Sequence, residues 1–293
     1  MTEDRDTPEG LGYAIAAYFL WGFLPLYLKL LDHVPPVEVV AHRVLWSVPV
    51  AGAVLVALGR TGELREALRQ PAWLAMACVT AALISVNWAI YVYAISTEQA
   101  IEAALGYYIN PLFSVFIGAI FLRERLDRLQ WAAIGLAVCA VGVLTVEAGR
   151  IPLIAVGLTL SWGFYALAKK KLPIGPNQGF LLEVLILTVP ALLWIGWLSS
   201  QQQNSFSISP WLLMGTGVAT AVPLLFYANG AKRLRLSTIG ILQYIAPTMI
   251  LFIAVFFFQE PFGRARAIAF PLIWAALGLY SVSLLRQVRH VRG

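Results

Sequence analysis

Charge is what this chain has least of. Of its 293 residues only 12% are Asp, Glu, Lys or Arg, while 60% are hydrophobic and the mean hydropathy is +0.77. A soluble domain needs about a quarter of its residues charged to cover its surface, so that class is excluded. Two cysteines, Cys78 and Cys139, and three scattered histidines, His33, His42 and His290, leave no material for a disulfide framework or a zinc site. Both cysteines fall inside apolar runs and read as small packing residues. Phosphate-binding Gly-x-x-x-x-Gly-Lys loops are missing, as are His-Glu-x-x-His and Gly-x-Ser-x-Gly. No cofactor and no metal are therefore expected. The first ten residues, with Glu3, Asp4, Asp6 and Glu9 against Arg5, lack the basic start of a cleaved signal peptide, so the first apolar run is expected to be retained.

What is present is a series of apolar runs of roughly 17–25 residues, the length that crosses a bilayer as a helix. They predict ten spans at 10–31, 37–58, 72–95, 101–122, 129–147, 151–168, 178–197, 209–230, 237–258 and 266–285. Cytoplasmic loops of membrane proteins are enriched in Lys and Arg. With ten spans and both termini cytoplasmic, 16 of the 21 basic residues fall inside, among them the island Lys169-Lys170-Lys171. Only Lys29, Arg150, Arg264 and Arg266 fall outside, and Arg43 lies within a span. These islands read as solvated loops that set topology. The net charge of +6 is thus no mark of a nucleic-acid binder.

The chain also repeats itself. Tyr108-Ile109-Asn110-Pro111, running on to Phe121 and Glu124, is matched by Tyr244-Ile245-Ala246-Pro247, running on to Phe257 and Glu260. The offset is a constant 136, with seven identities over 17 positions. Trp21-Gly22-Phe23 reappears as Trp162-Gly163-Phe164, Arg43-Val44-Leu45 aligns with Glu183-Val184-Leu185, and Tyr91 aligns with Tyr227. Duplicated units of five spans must lie in opposite orientations, an architecture found mostly in transporters. The expected fold is an all-α integral membrane protein of ten transmembrane helices in two inverted-topology repeats. A cytoplasmic tail occupies 1–9, the repeats 10–147 and 151–285, and a basic cytoplasmic tail 286–293.

With these residues on the page, the chain resembles the EamA-type transporters of the drug/metabolite transporter superfamily. The resemblance rests on two five-helix repeats, a proline in the fourth helix and Glu124-Arg125-Leu126 after it. Narrower stretches resemble the RarD-type permeases: Ala17–Gly22, His42–Ser47, Leu105–Leu112 and Arg233–Thr238. The family usually has Gly before its Glu-Arg, where this chain has Arg123. The resemblance implies a small-molecule permease or exporter of metabolites or drugs, with chloramphenicol attached to the name, in a bacterial cell membrane. A small-molecule substrate and the lipid bilayer are the expected partners; nucleic acid is not, and homodimerisation is left open. A membrane-embedded enzyme and a structural membrane protein are the competing classes. The first lacks catalytic motifs, and the second has no use for mirrored prolines and polar groups within spans.

Several residues could serve transport. An ionised side chain at mid-membrane costs at least about 2.5–3.5 kcal/mol, so it requires a partner or a pathway. Arg43 and Glu183, at equivalent repeat positions with opposite sign, are expected to line or gate a cavity, Glu183 as a proton acceptor; the plainer reading is structural pairing. His42, beside Arg43, reads as a proton relay or a hydrogen-bonded core residue. Pro111 and Pro247 deprive the carbonyls of Tyr107 and Gln243 of helical partners and are expected to kink their helices symmetrically. Tyr107 and Asn110 share one helical stripe, and Gln243 and Tyr244 occupy the matching turn. Asn87, Trp88, Tyr91 and Tyr227, with the repeat mates Trp21 and Trp162, offer polar and aromatic surface for a ligand. Glu124 and Glu260 fall at helix C-termini and read as structural turn residues.

Overall fold

A computed structural model describes residues 7–59, 61–121, 126–231, 233, 234, 238, 239 and 242–290. Within these the chain is helical apart from its connections: α1 (Pro8–Lys29), α2 (Pro36–Ala57), a short α3 (Thr61–Ala67), α4 (Pro71–Ser96), α5 (Ala100–Phe121), α6 (Arg128–Ala148), α7 (Leu153–Lys171), α8 (Pro176–Ser200), α9 (Pro210–Ala231), α10 (Ile245–Phe252) and α11 (Arg264–His290). Proline opens α1, α2, α4, α8 and α9, a position where its missing N–H costs nothing and its fixed φ suits the helix. Gly149, at φ 63°, closes α6 in the left-handed conformation that glycine adopts without penalty.

Eight of these helices are long and apolar enough to cross a bilayer, and two shorter apolar helical stretches, Leu153–Lys169 and Ile245–Phe257, stand at the sixth and ninth expected spans. At 22 residues, α1, α2, α5 and α9 each reach roughly 33 Å, matching a hydrocarbon core of roughly 30 Å. Large apolar side chains cover the outside: Val146 is 84% exposed, Leu153 72% and Leu193 71%, which suits a lipid-facing surface. The helix interfaces are built from small residues, with Ala17, Ala77, Ala94, Ala103, Ala133 and Ala140 fully buried. Small side chains let backbones approach closely where apolar area alone gives no advantage over lipid. Cys78 and Cys139 correct the expectation for them: both are free and sit on the exposed surface, not in the packed interior.

Helix α1 packs on α9 and α10, and α7 packs on α4 and α5. Helix α2 packs on α8 and α9, α4 on α7 and α8, and α6 on α11. Advancing each span by five converts the partners of α1 into those of α7, and leaves the pairs α2–α8, α5–α10 and α6–α11 in place. The correspondence reaches single residues. A Cβ on Gly22 would run into the Met249 side chain, and one on Gly163 into Phe113. Gly22 and Gly163 are repeat mates, and so are Met249 and Phe113. Tyr108 and Tyr244, also mates, stack on each other at 6.4 Å and 23°.

The two prolines behave differently, which corrects the symmetric kinks. Pro111 lies inside the continuous helix α5. Before Pro247 the helical run is interrupted by a turn at Gln243 and Tyr244, and α10 starts afresh at Ile245. Pro247 therefore sits in a first turn, where no helical N–H is required. After α10 the chain widens into a π-helical turn, Ile253–Phe257, and leaves it through Gln259 at φ 56°. Glu124 and Arg125, and residues 235–237 of the second basic motif, lie outside the described residues.

Contacts between loops fall into two sets. At one end Lys29 reaches Glu98 at 3.5 Å, and the His33 ring nitrogen meets Ser209 Oγ at 3.0 Å. At the other, the Thr7 N–H donates to the Arg233 carbonyl, Arg233 pairs with Glu9, and Ser283 donates to Asp127, which also caps α6. Every loop in the first set is one assigned outside from its charge, and every loop in the second one assigned inside.

Candidate functional site

Polar side chains buried within a bundle need partners, and here they converge on one cavity of about 140 Å³ where α1, α2, α4, α5, α7, α8, α9 and α10 meet. Trp21, Arg43, Asn87, Trp88, Tyr91, Tyr107, Asn110, Trp162, Gln243 and Pro247 line it. Six elements beyond α4 and α5 thus bring together residues as far apart in sequence as 21 and 247. Tyr227 and Tyr244 stand behind the wall. Tyr227 packs against Tyr18 and Trp21 at 6.0 and 5.7 Å, and Tyr244 lies on Tyr108. Pro111, His42 and Glu183 are likewise absent from the lining.

Arg43 is 3% exposed. Its Nε donates to Thr220 Oγ1 at 3.0 Å, and its guanidinium lies 5.0 Å from the Trp88 ring centre. A desolvated cation over a tryptophan face gains about 2 kcal/mol, short of what a carboxylate partner would supply. Among the described residues no carboxylate lies within 4.0 Å of it, and Nη1 is buried without a hydrogen-bond partner. Beside it, Tyr91 and Tyr107 meet edge to face at 5.4 Å, and the Tyr91 hydroxyl and Asn110 Oδ1 are also unpartnered. Asn87 is committed: its Nδ2 donates to the Leu158 carbonyl at 3.1 Å and to Ser161 Oγ at 2.9 Å, joining α4 to α7.

Glu183, 1% exposed, does not meet Arg43. Lys169 Nζ donates to it at 2.6 Å and the Tyr165 hydroxyl at 3.3 Å. Lys169 therefore leaves the solvated island expected for it and turns inward from α7. Tyr165 itself lines the cavity, so Glu183 stands one side chain behind it. Tyr165 and Lys169, four residues apart on one helical face, were the readable signal that an intramembrane glutamate had a partner. Tyr18, Phe180 and Thr220, also in the lining, carry no such signal.

His42 is buried, but neither ring nitrogen has a hydrogen-bond partner among the described residues. It stacks on Phe206 at 5.4 Å and holds Nε2 4.0 Å from Glu38 Oε1. The hydrogen-bonded core histidine expected from the sequence is thus replaced by a stacked one. Glu38 is occupied elsewhere, accepting from the Ser205 N–H at 2.7 Å and its hydroxyl at 2.9 Å.

Two further carboxylates bind helix starts. Glu260 accepts from the N–H groups of Ala100 and Ile101 at 2.6 and 3.0 Å, so its charge faces the positive end of α5. Burial pushes its carboxyl above the ordinary range, against the pull of those two donors. Glu102 accepts from the Ile154 N–H at 3.0 Å at the start of α7. Glu38, Glu102 and Glu260 all lie at the end of the molecule marked by Lys29.

The model of the EamA-like transporter family matches residues 8–146 and 150–282. A curated relative from Streptomyces exfoliatus, Protein RarD, is 42% identical over 100% of this chain and 94% of its own length. Protein RarD of Salmonella typhimurium is 40% identical over 97% of this chain and 98% of its own. A solved crystal structure superposes with a TM-score of 0.58 at 22% identity, covering 95% of this chain and 98% of that one, a likeness of fold.

Proposed function

Because the chain belongs to the EamA-like transporter family, as a multi-pass bacterial membrane transporter, we propose that it is a secondary-active small-molecule permease of the cytoplasmic membrane, working by alternating access. Its ten spans form two inverted five-helix repeats, and the cavity between them holds the substrate near mid-membrane. The observation that carries this reading is the packing scheme that maps onto itself when every span advances by five, with the cavity where the two halves meet. Spans of opposite orientation then exchange roles as the halves rock. The two sets of loop contacts support ten crossings with both termini on one side.

Three polar atoms without a hydrogen-bond partner among the described residues, Arg43 Nη1, Tyr91 Oη and Asn110 Oδ1, are what a binding site keeps free for a ligand. Its size is that of a small metabolite or part of a drug. Metabolites and amphenicols, chloramphenicol included, are the solutes to test first. Proteoliposomes loaded with unlabelled solute should accumulate external labelled solute transiently above its equilibrium level. Absence of counterflow for every solute tested in reconstituted, folded protein removes the permease reading.

A further inference from the structure

The repeat places opposite charges at equivalent positions, and the structure treats them unequally. Glu183 is paired with Lys169 and screened from the cavity by Tyr165. Arg43 faces the cavity, and among the described residues no carboxylate lies beside it and Nη1 has no hydrogen-bond partner. The lining therefore carries one cation and no anion among the described residues. Burying a lone charge in a bilayer is costly, and an anion arriving with the substrate would remove that cost.

We propose that the cavity takes a small organic carboxylate, bound through its anionic group to the free side of the Arg43 guanidinium beside the Tyr91 hydroxyl, with its body against Trp88. This rests on the permease reading and names its substrate class. Arg43 is well set to receive an anion. Thr220 holds Nε and Trp88 holds the plane, so the remaining N–H groups are fixed in direction before a ligand arrives. The Tyr91 hydroxyl supplies a second donor, and Asn110 Oδ1 accepts from a hydroxyl or amino group on the same ligand. The volume bounds the body. About 140 Å³ is close to the roughly 150 Å³ cavity that accommodates one benzene ring, so a single ring or a short branched chain fits.

The test compares charged and uncharged isosteres: benzoate, cyclohexanecarboxylate and butyrate, each against its own amide, with benzylamine as a cation of the same size. Ligand-induced thermal shifts of purified protein and counterflow in proteoliposomes are both read at neutral pH. At least one carboxylate is expected to bind about tenfold or more tightly than its amide, the scale of one charge-assisted hydrogen bond. Benzylamine is expected not to bind. Arg43→Gln should erase the carboxylate preference, and Arg43→Lys should keep its sign. The wild-type comparison stands even if Arg43→Gln fails to fold. The proposal is overturned if no carboxylate outbinds its amide, if benzylamine binds as well, or if the preference survives in Arg43→Gln. Counterflow of amides or chloramphenicol without any carboxylate preference would sink the anion class and leave the permease standing.

Discussion

Single residues set the electrostatics of this protein, and the pair Lys169–Glu183 is the clearest case. Its 2.6 Å contact is buried on the Glu183 side, so removing one partner strands a charge in a poorly solvated place. Lys169→Met is expected to cost about 3–5 kcal/mol, while the double variant Lys169→Met/Glu183→Gln should recover most of that. Thermal unfolding of both single variants and the double variant in one detergent checks it, and a double-variant loss equal to the sum of the two single losses would mean the pair carries no coupling. That Arg43 and Glu183 would be buried charges in need of neighbours was legible from their place within a span. Their partners were less so: Thr220 and Trp88 reach Arg43 only through helix crossings that no local pattern encodes, and the Tyr165–Lys169 stripe shows a polar face without saying which charge it meets. Lys169 was misread for the same reason: three lysines in a row look like solvated charge until one turns inward.

Elements were far more legible, since bilayer thickness dictates helix length and proline marks the starts. Predicted and observed limits of the second span, 37–58 against Pro36–Ala57, differ by one residue at each end. The ninth departs most. Hydropathy saw one run over 237–258, whereas the helix restarts at Ile245 and ends in a π-helical turn. Hydropathy registers apolar length and is blind to where the hydrogen-bond ladder breaks. The crossings of α1 with α10 and α7 with α5 rest on glycine at Gly22 and Gly163. Gly22→Leu and Gly163→Leu are each expected to destabilise by about 1–3 kcal/mol, the cost of overpacking a tight interface. Melting temperatures should fall for both, and a fall for only one would show the two crossings are not equivalent.

For the whole molecule, the proposed orientation fixes which loops face which compartment. With Cys78 and Cys139, both exposed, replaced by Ala, single substitutions Asp32→Cys, Gln203→Cys and Gly263→Cys should react with a membrane-impermeant maleimide in intact cells. Arg65→Cys and Lys171→Cys should react only after the membrane is opened. Labelling of Arg65→Cys and Gly263→Cys from the same side would end the inverted arrangement. The three carboxylates at the Lys29 end bear on how such a molecule can move. Each clasps main-chain amides of a neighbouring segment: Glu38 at Ser205, Glu102 at Ile154, Glu260 at Ala100 and Ile101. Any opening at that end must first unfasten these seams, so the clasped segments resist being drawn apart.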